Sequence, residues 1–242
     1  MLRRIRVVVP VCTDMWNEPV KDLMDQYKES DTQIDVSSLE KGPDSLEFGY
    51  DKAYAELPTV EECERAEKAG YDGVIIYCFA DPGLNAARER LTIPVVGLCE
   101  ASIHLASMLG STFGIMAAGS SDMFGSKRIA ILNRMQGYGF RHKCASIRTL
   151  DVEVLDLVKD HDKLIAQLLI EGREAIQIDG ADTIVLGCGG MLQIGENVSR
   201  ELNAPLIVPA LAALKICETL IQMNVSQSKI AFPLPRKKKR LS

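Results

Sequence analysis

Two cysteines carry the first chemical signal in this chain. Cys78 lies in AGYDGVIIYCFADPG (69–83), and Cys188 lies in DGADTIVLGCGGMLQ (179–193). Each stretch runs from glycine through small or acidic residues and a short apolar run to one thiol. A free thiol ionises near a pKa of about 8.5, and a nearby helix N-terminus lowers that value. It is therefore a base when ionised and an acid when protonated. Two thiols on opposite faces of one carbon can invert it: one removes a proton beside a carbonyl, and the other returns one from the far side. The oxygen that gains charge in between needs donors, which the bare N–H groups of Gly189 and Gly190 can supply. The scheme calls for no metal and no organic cofactor. For Cys78 alone a second reading stands beside this one, because free cysteine is often only a small buried hydrophobe. Placing the thiol twice favours the chemistry.

The other five of the seven cysteines, Cys12, Cys63, Cys99, Cys144 and Cys217, read as small core residues. Cys12 follows the first strand and also reads as a rim residue of the cleft. There is no CxxC pair and no Cys/His cluster with zinc spacing, so no metal is expected. His104, in the apolar SIHLASML, reads as a core or surface group. Glu47, Tyr50 and Asp51 read either as a polar pocket edge or as ordinary loop polarity.

The elements that must position the thiols alternate between strand and helix. Strands are expected at 5–10, 34–39, 73–77, 94–98, 113–117, 143–150, 183–187 and 205–208. Helices are expected near 17–28, 59–69, 83–91, 100–109, 160–178 and 195–203, with a last one ending near 223. Asp81-Pro82-Gly83 reads as a helix start with Pro82 in the first turn. Continuous apolar strands between helices predict an α/β protein whose parallel sheets are covered on both faces.

The pattern is written twice. Cys188 follows Cys78 by 110 residues, and Pro205 follows Pro94 by 111. AARERLTIPVVG (86–97) matches NVSRELNAPLIVP (197–209), and VVVPVCTD (7–14) matches GIMAAGSSD (114–122). Two pseudo-symmetric α/β halves follow: residues 1–100 joined by 210–242, and residues 101–209. In parallel sheets the ligand site lies beyond the C-terminal strand ends, so both thiols are expected at one cleft between the halves.

Bulk composition narrows the function. The 242 residues are 47% hydrophobic and 25% charged, with a net charge of −5, which argues against general nucleic-acid binding. The basic stretch PRKKKR (235–240) reads as a solvated end, with a polyanion patch as the lesser alternative. No apolar run approaches the roughly 20 residues of a membrane span, and MLRRIRVVVPVC reads as a first strand, not a signal peptide. A cytoplasmic protein with reduced thiols, acting on a small molecule, is expected. LGCGGMLQIG lacks the Lys-Ser/Thr of a phosphate loop, and no GxGxxG follows a strand.

At these residues the chain resembles the aspartate/glutamate racemase superfamily, and within it the hydantoin racemases. Residues 77–110 are similar to the family's first cysteine segment, VLGCGGM (185–191) to its second, and KGPDSLE (41–47) to its GPxSIE element. The resemblance implies that Cys78 and Cys188 are the catalytic pair. It also implies a cofactor-independent homo-oligomer acting on hydantoin rings or, as in the allantoin racemases, on a ureido-substituted ring. The pocket it implies is lined by Pro10, Val11, Ser45, Phe79, Ala80, Ala117, Ala118, Gly189 and Gly190. Two loops depart from the family pattern. VPVCTDM (9–15) replaces an Asn-rich loop of the type NPNTS, and Ala117-Ala118-Gly119 replaces threonines. No clamp for a free α-carboxylate is visible, so a neutral ring is expected. The alternatives are an amino-acid racemase, a decarboxylase or maleate-type isomerase, and a two-lobed binding protein without catalysis.

Overall fold

The structure is a computed structural model that describes residues 2–119, 126–152, 154, 157, 161–192, 194, 196–236 and 238. Its first half runs β1 (Arg3–Val9), α1 (Asn17–Tyr27), β2 (Thr32–Ser38), α2 (Gly49–Lys68), β3 (Gly73–Ile76), α3 (Leu84–Arg90), β4 (Val95–Gly97) and α4 (Leu98–Leu109). The second runs β5 (Phe113–Ala118), α5 (Ser126–Gly137), β6 (Cys144–Leu150), α6 (His161–Gln177), β7 (Thr183–Leu186), α7 (Glu196–Leu202), β8 (Leu206–Ile207) and α8 (Pro209–Gln222).

The strands form two four-stranded parallel sheets, ordered β2-β1-β3-β4 and β6-β5-β7-β8. The orders coincide when β1 is matched with β5. In each sheet the chain leaves the first strand to one side and returns to the other, so β1/β3 and β5/β7 are switch points where a ligand crevice opens. Every residue of GVII in β3 and of TIVL in β7 is buried. That is the cost of a central parallel strand covered on both faces, and it explains the unbroken apolar runs.

The halves are laced together by their last helices. α4 and α8 pack on one another, while α4 also rests on β7 and β8, and α8 rests on β1, β3 and β4. Each terminal helix therefore covers the sheet of the other half. Both helices bury small residues, among them Ala101, Ala106, Ala210 and Ala213, and small side chains allow packed helices to approach closely. One apolar core, containing Ile5, Ile75, Phe113, Val185 and Leu214, runs through both halves. Each sheet has a further core on its outer face. After α8 the chain returns over the first half, where the Gln227 side chain bonds both the N–H and the carbonyl of Val95 on edge strand β4 (2.9 and 3.1 Å). Among the described residues no helix is long and apolar enough to cross a membrane.

The expected elements are present, with three differences. α2 begins ten residues earlier than the pattern at 59–69, running through Pro58. The Asp51 carboxylate ties down its first turn by accepting the N–H groups of Glu47 and Phe48. α5 occupies a stretch that the sequence reading leaves unassigned. Third, α3 starts at Leu84 after a left-handed Gly83 (φ 70°), so Pro82 lies outside its first turn. Residues 120–122 of the repeat match, Lys237 and residues 239–242 of the basic end, and the expected helix starts at 160 and 195 lie outside the described residues.

Candidate active site

Cys78 and Cys188 follow β3 and β7 by two residues and sit in matching turns. The Asp81 N–H donates to the Cys78 carbonyl (3.0 Å), and the Met191 N–H donates to that of Cys188 (3.3 Å). Inside each turn the sulfur accepts the N–H two residues ahead: Ala80 to Cys78 Sγ and Gly190 to Cys188 Sγ, both at 3.4 Å. A thiolate is a better acceptor than a thiol, so these bonds favour ionisation. Both side chains are partly exposed, and both line one cavity of about 170 Å³.

All the sequence-predicted pocket residues line this cavity. Pro10 and Val11 come from the end of β1, Ala117 and Ala118 from the end of β5, and Ser45 from the loop before α2. Phe79 and Ala80 follow one thiol, while Gly189 and Gly190 follow the other. The glycines are required by close approach. A Cβ on Gly189 would lie 2.9 Å from Tyr77 Cε1, and one on Gly190 would lie 3.0 Å from Trp16 Cη2. The Tyr77 hydroxyl donates to the Gly189 carbonyl (2.9 Å), a direct bond between the halves at the base of the cleft. Gly190 N–H is used by its own cysteine. Gly189 N–H, in contrast, has no acceptor among the described residues.

Burial dominates the electrostatics. It pushes the Cys78 thiol up to about 12, opposed by the Ala80 N–H and reinforced by the charge of Cys188. Burial likewise raises Cys188, opposed by the Gly190 N–H and Lys127 and reinforced by Glu47. This corrects the expectation of thiols acidified by a helix N-terminus, since α3 begins six residues beyond Cys78. The charge of Cys188 acts on Cys78 across the cavity that both line.

The remaining residues sort cleanly. Cys63, Cys99, Cys144 and Cys217 are buried, as read; Cys12 is exposed and does not line the cavity, so neither reading of it holds. His104 is exposed on α4 and lines a separate cavity. Glu47 lines the thiol cavity and accepts from Ser45 Oγ (3.1 Å), whereas Tyr50 projects into solvent. Among the described residues no group of three His, Cys, Asp or Glu could hold a metal.

Sequence reasoning missed two features. The first is α5, which lies across the cleft and lines it with Lys127, Ala130, Ile131 and Arg134. Spacings of three, four and seven put these on one helix face, and that periodicity was the available signal. The second is Asp81, which starts no helix of its own. It sits at φ 46°, buried, accepting the Cys99 and Glu100 N–H groups (3.0 Å each) at the start of α4, and the Tyr138 hydroxyl (2.7 Å). Burial raises its carboxyl to about 6 against those donors and Arg134.

Paired parallel sheets of one strand order, meeting at a cleft, form a fold that this chain shares with solved racemases. An allantoin racemase from Klebsiella pneumoniae shares it with a TM-score of 0.91 at 30% identity, over 99% of this chain and 96% of that one. An arylmalonate decarboxylase shares the fold alone, at a TM-score of 0.64 and 19% identity over 90% of this chain and 92% of that one. The chain belongs to the Asp/Glu/Hydantoin racemase family, whose sequence profile matches residues 12–217. A hydantoin racemase from Pseudomonas sp. (strain NS671) is 34% identical over 237 residues, 97% of this chain and 93% of the relative. The protein is thus an isomerase of the racemase class.

Proposed function

We propose that the protein inverts the ring carbon of a 5-substituted hydantoin, or of an allantoin-like cyclic ureide, using Cys78 and Cys188 as a two-base pair. The observation that carries this reading is the duplicated turn, in which each sulfur faces one cavity and accepts its own i+2 N–H. The names of the similar proteins supply the substrate class.

In this scheme the ring lies between the sulfurs, one from each half. We divide the chain accordingly, into 1–100 with 210–242 and 101–209. The thiolate on one side takes the proton from the carbon beside the carbonyl. The C–H electron pair moves onto the carbonyl oxygen, and the Gly189 N–H, which lines the cavity without an acceptor among the described residues, is the donor assigned to it. The opposing thiol then protonates the carbon from the other face as the pair returns. The first cysteine ends as thiol and the second as thiolate, so a substrate of opposite hand uses the roles reversed. Only protons move, and the cavity wall of Val9, Trp16, Phe79 and Ile131 shields the exchange from bulk water.

A carboxylate-bearing substrate is the second reading, favoured by Lys127 and Arg134 in the cavity wall. Both cations already face carboxylates: Glu47 lies 3.9 Å from Lys127, and Asp81 feels Arg134. That pairing keeps the neutral ring ahead. Polarimetry on hydantoins, allantoin and free amino acids, with carbon dioxide release followed on malonates, tests the choice. Decay of rotation with the cyclic ureides alone is the expected result; activity confined to amino acids or malonates overturns it.

A further inference from the structure

α5 lies across the cleft and is fastened to both halves. Near its start, Lys127 Nζ donates to the Ala118 carbonyl at the end of β5 (2.7 Å) and faces Glu47 of the first half at 3.9 Å. Just past its end, the Tyr138 hydroxyl donates to Asp81, three residues beyond Cys78. Between these anchors, Lys127 and Arg134 are seven residues apart. That is about two turns, which puts both on the face that lines the thiol cavity. The chain makes room for the first of them: Gly119, at φ 103°, lies directly beneath the Lys127 ammonium, which a Cβ there would strike. Arg134 is half-buried; its Nε has no hydrogen-bond partner among the described residues, while its guanidinium also acts on buried Cys99 and on Asp81.

We propose that α5 supplies one cation to each thiol, with Lys127 the positioning residue that favours ionisation of Cys188 and Arg134 the one that favours ionisation of Cys78. The inference rests on the two-thiol reading above and deepens it. The field at each sulfur has the sign this requires. Against the burial that raises Cys188, the Gly190 N–H and then Lys127 pull it down, with Glu47 opposing. Against the burial that raises Cys78, the Ala80 N–H and Arg134 pull it down, with Cys188 and Asp81 opposing. The other titratable groups on the cavity wall are Asp44, Lys52 and Tyr77. Lys52 pairs with Glu56 at 3.9 Å, and the Tyr77 hydroxyl is held by Gly189. The two halves are alike in their sheets, yet both cations come from this one helix. It therefore makes the thiols usable in either direction, and each can be tuned separately.

Alkylation with iodoacetamide at about pH 9, followed residue by residue by peptide mass spectrometry, reads the thiolate fraction of each cysteine as an alkylation rate, without any substrate. In Lys127→Met the rate at Cys188 falls about tenfold while that at Cys78 stays put, and Arg134→Met does the reverse. Lys127→Arg and Arg134→Lys restore the original rates. Should a methionine variant open the fold, buried Cys63 and Cys217 become reactive together, and the glutamine variant of that position is compared instead. Rates that do not fall, that fall together in both variants, or that are not restored by the conservative changes overturn the proposal. So does loss of the fold in both variants of one position. Lowered rates without racemisation would defeat the functional reading alone; racemisation with unchanged rates would defeat this inference alone.

Discussion

Replacing Asp81 by alanine removes the acceptor on which three donors converge, the N–H groups of Cys99 and Glu100 and the Tyr138 hydroxyl. The loss of the cap on α4 costs about 1 kcal/mol, and a buried hydroxyl left without a partner costs about 1–3 kcal/mol more. A total of about 3 kcal/mol, or about 10 °C in Tm for a chain of this size, is expected. The penalty should also depend on pH. The Asp81 carboxyl is raised from an ordinary 3.8 to about 6, chiefly by burial. The unfolded chain therefore releases this proton first as pH rises. The stability it contributes is complete below pH 3.8 and is lost as pH climbs through 6. That displacement is equivalent to about 3 kcal/mol, and about half of it falls between pH 5 and pH 8. Asp81→Ala has no such group. The gap between wild type and variant should therefore be about 1.5 kcal/mol wider at pH 5 than at pH 8. Urea unfolding at the two pH values measures it. A gap that is equal at both, or wider at pH 8, would refute the claim that burial outweighs the donors around this carboxylate.

Other substitutions probe the cleft itself. Tyr77→Phe deletes the bond from one half to the Gly189 carbonyl; a stability loss of about 1 kcal/mol, with kcat falling more than KM changes, is expected from denaturation and initial-rate assays. Gly119→Ala places a methyl group under the Lys127 ammonium at φ 103°, so a loss of about 1–3 kcal/mol from backbone strain should accompany weaker activity. Because burial raises Cys78 to about 12 and also raises Cys188, few sites hold a thiolate at neutral pH. The racemisation rate should accordingly climb by up to about tenfold per pH unit from pH 7 upward, and a rate flat across that range would contradict the electrostatics described.

The legible part of this protein was local. GVII and TIVL announced buried parallel strands because no other element of four residues needs to be apolar throughout, and the thiol after each run marked a strand end. Equal spacing of the two cysteines carried the pairing of the sheets. Features built from distant contacts were not legible. Asp81 reads as a local helix start beside Pro82 and Gly83, yet its partners lie on α4 and just past α5, up to 57 residues away. The first turns of α2 depend on Asp51 reaching back to Phe48, and the charged sequence hides them. α5 interleaves polar and apolar residues because it has solvent on one side and, on the other, a cavity that it lines with Ala130 and Ile131 beside Lys127 and Arg134, so hydrophobic periodicity alone passes over it. Its cavity-facing side instead carries cations, and these become meaningful only when the thiols are known to lie beneath.

The most direct trial of the two-thiol account is racemisation of a single enantiomer of a 5-substituted hydantoin in deuterium oxide, stopped early and resolved by chiral chromatography with mass detection. The account predicts deuterium at the ring carbon of the inverted product and hydrogen retained in the unreacted enantiomer, with inversion abolished in Cys78→Ser and in Cys188→Ser. Equal labelling of both enantiomers, or inversion that survives in the double serine variant, would contradict it.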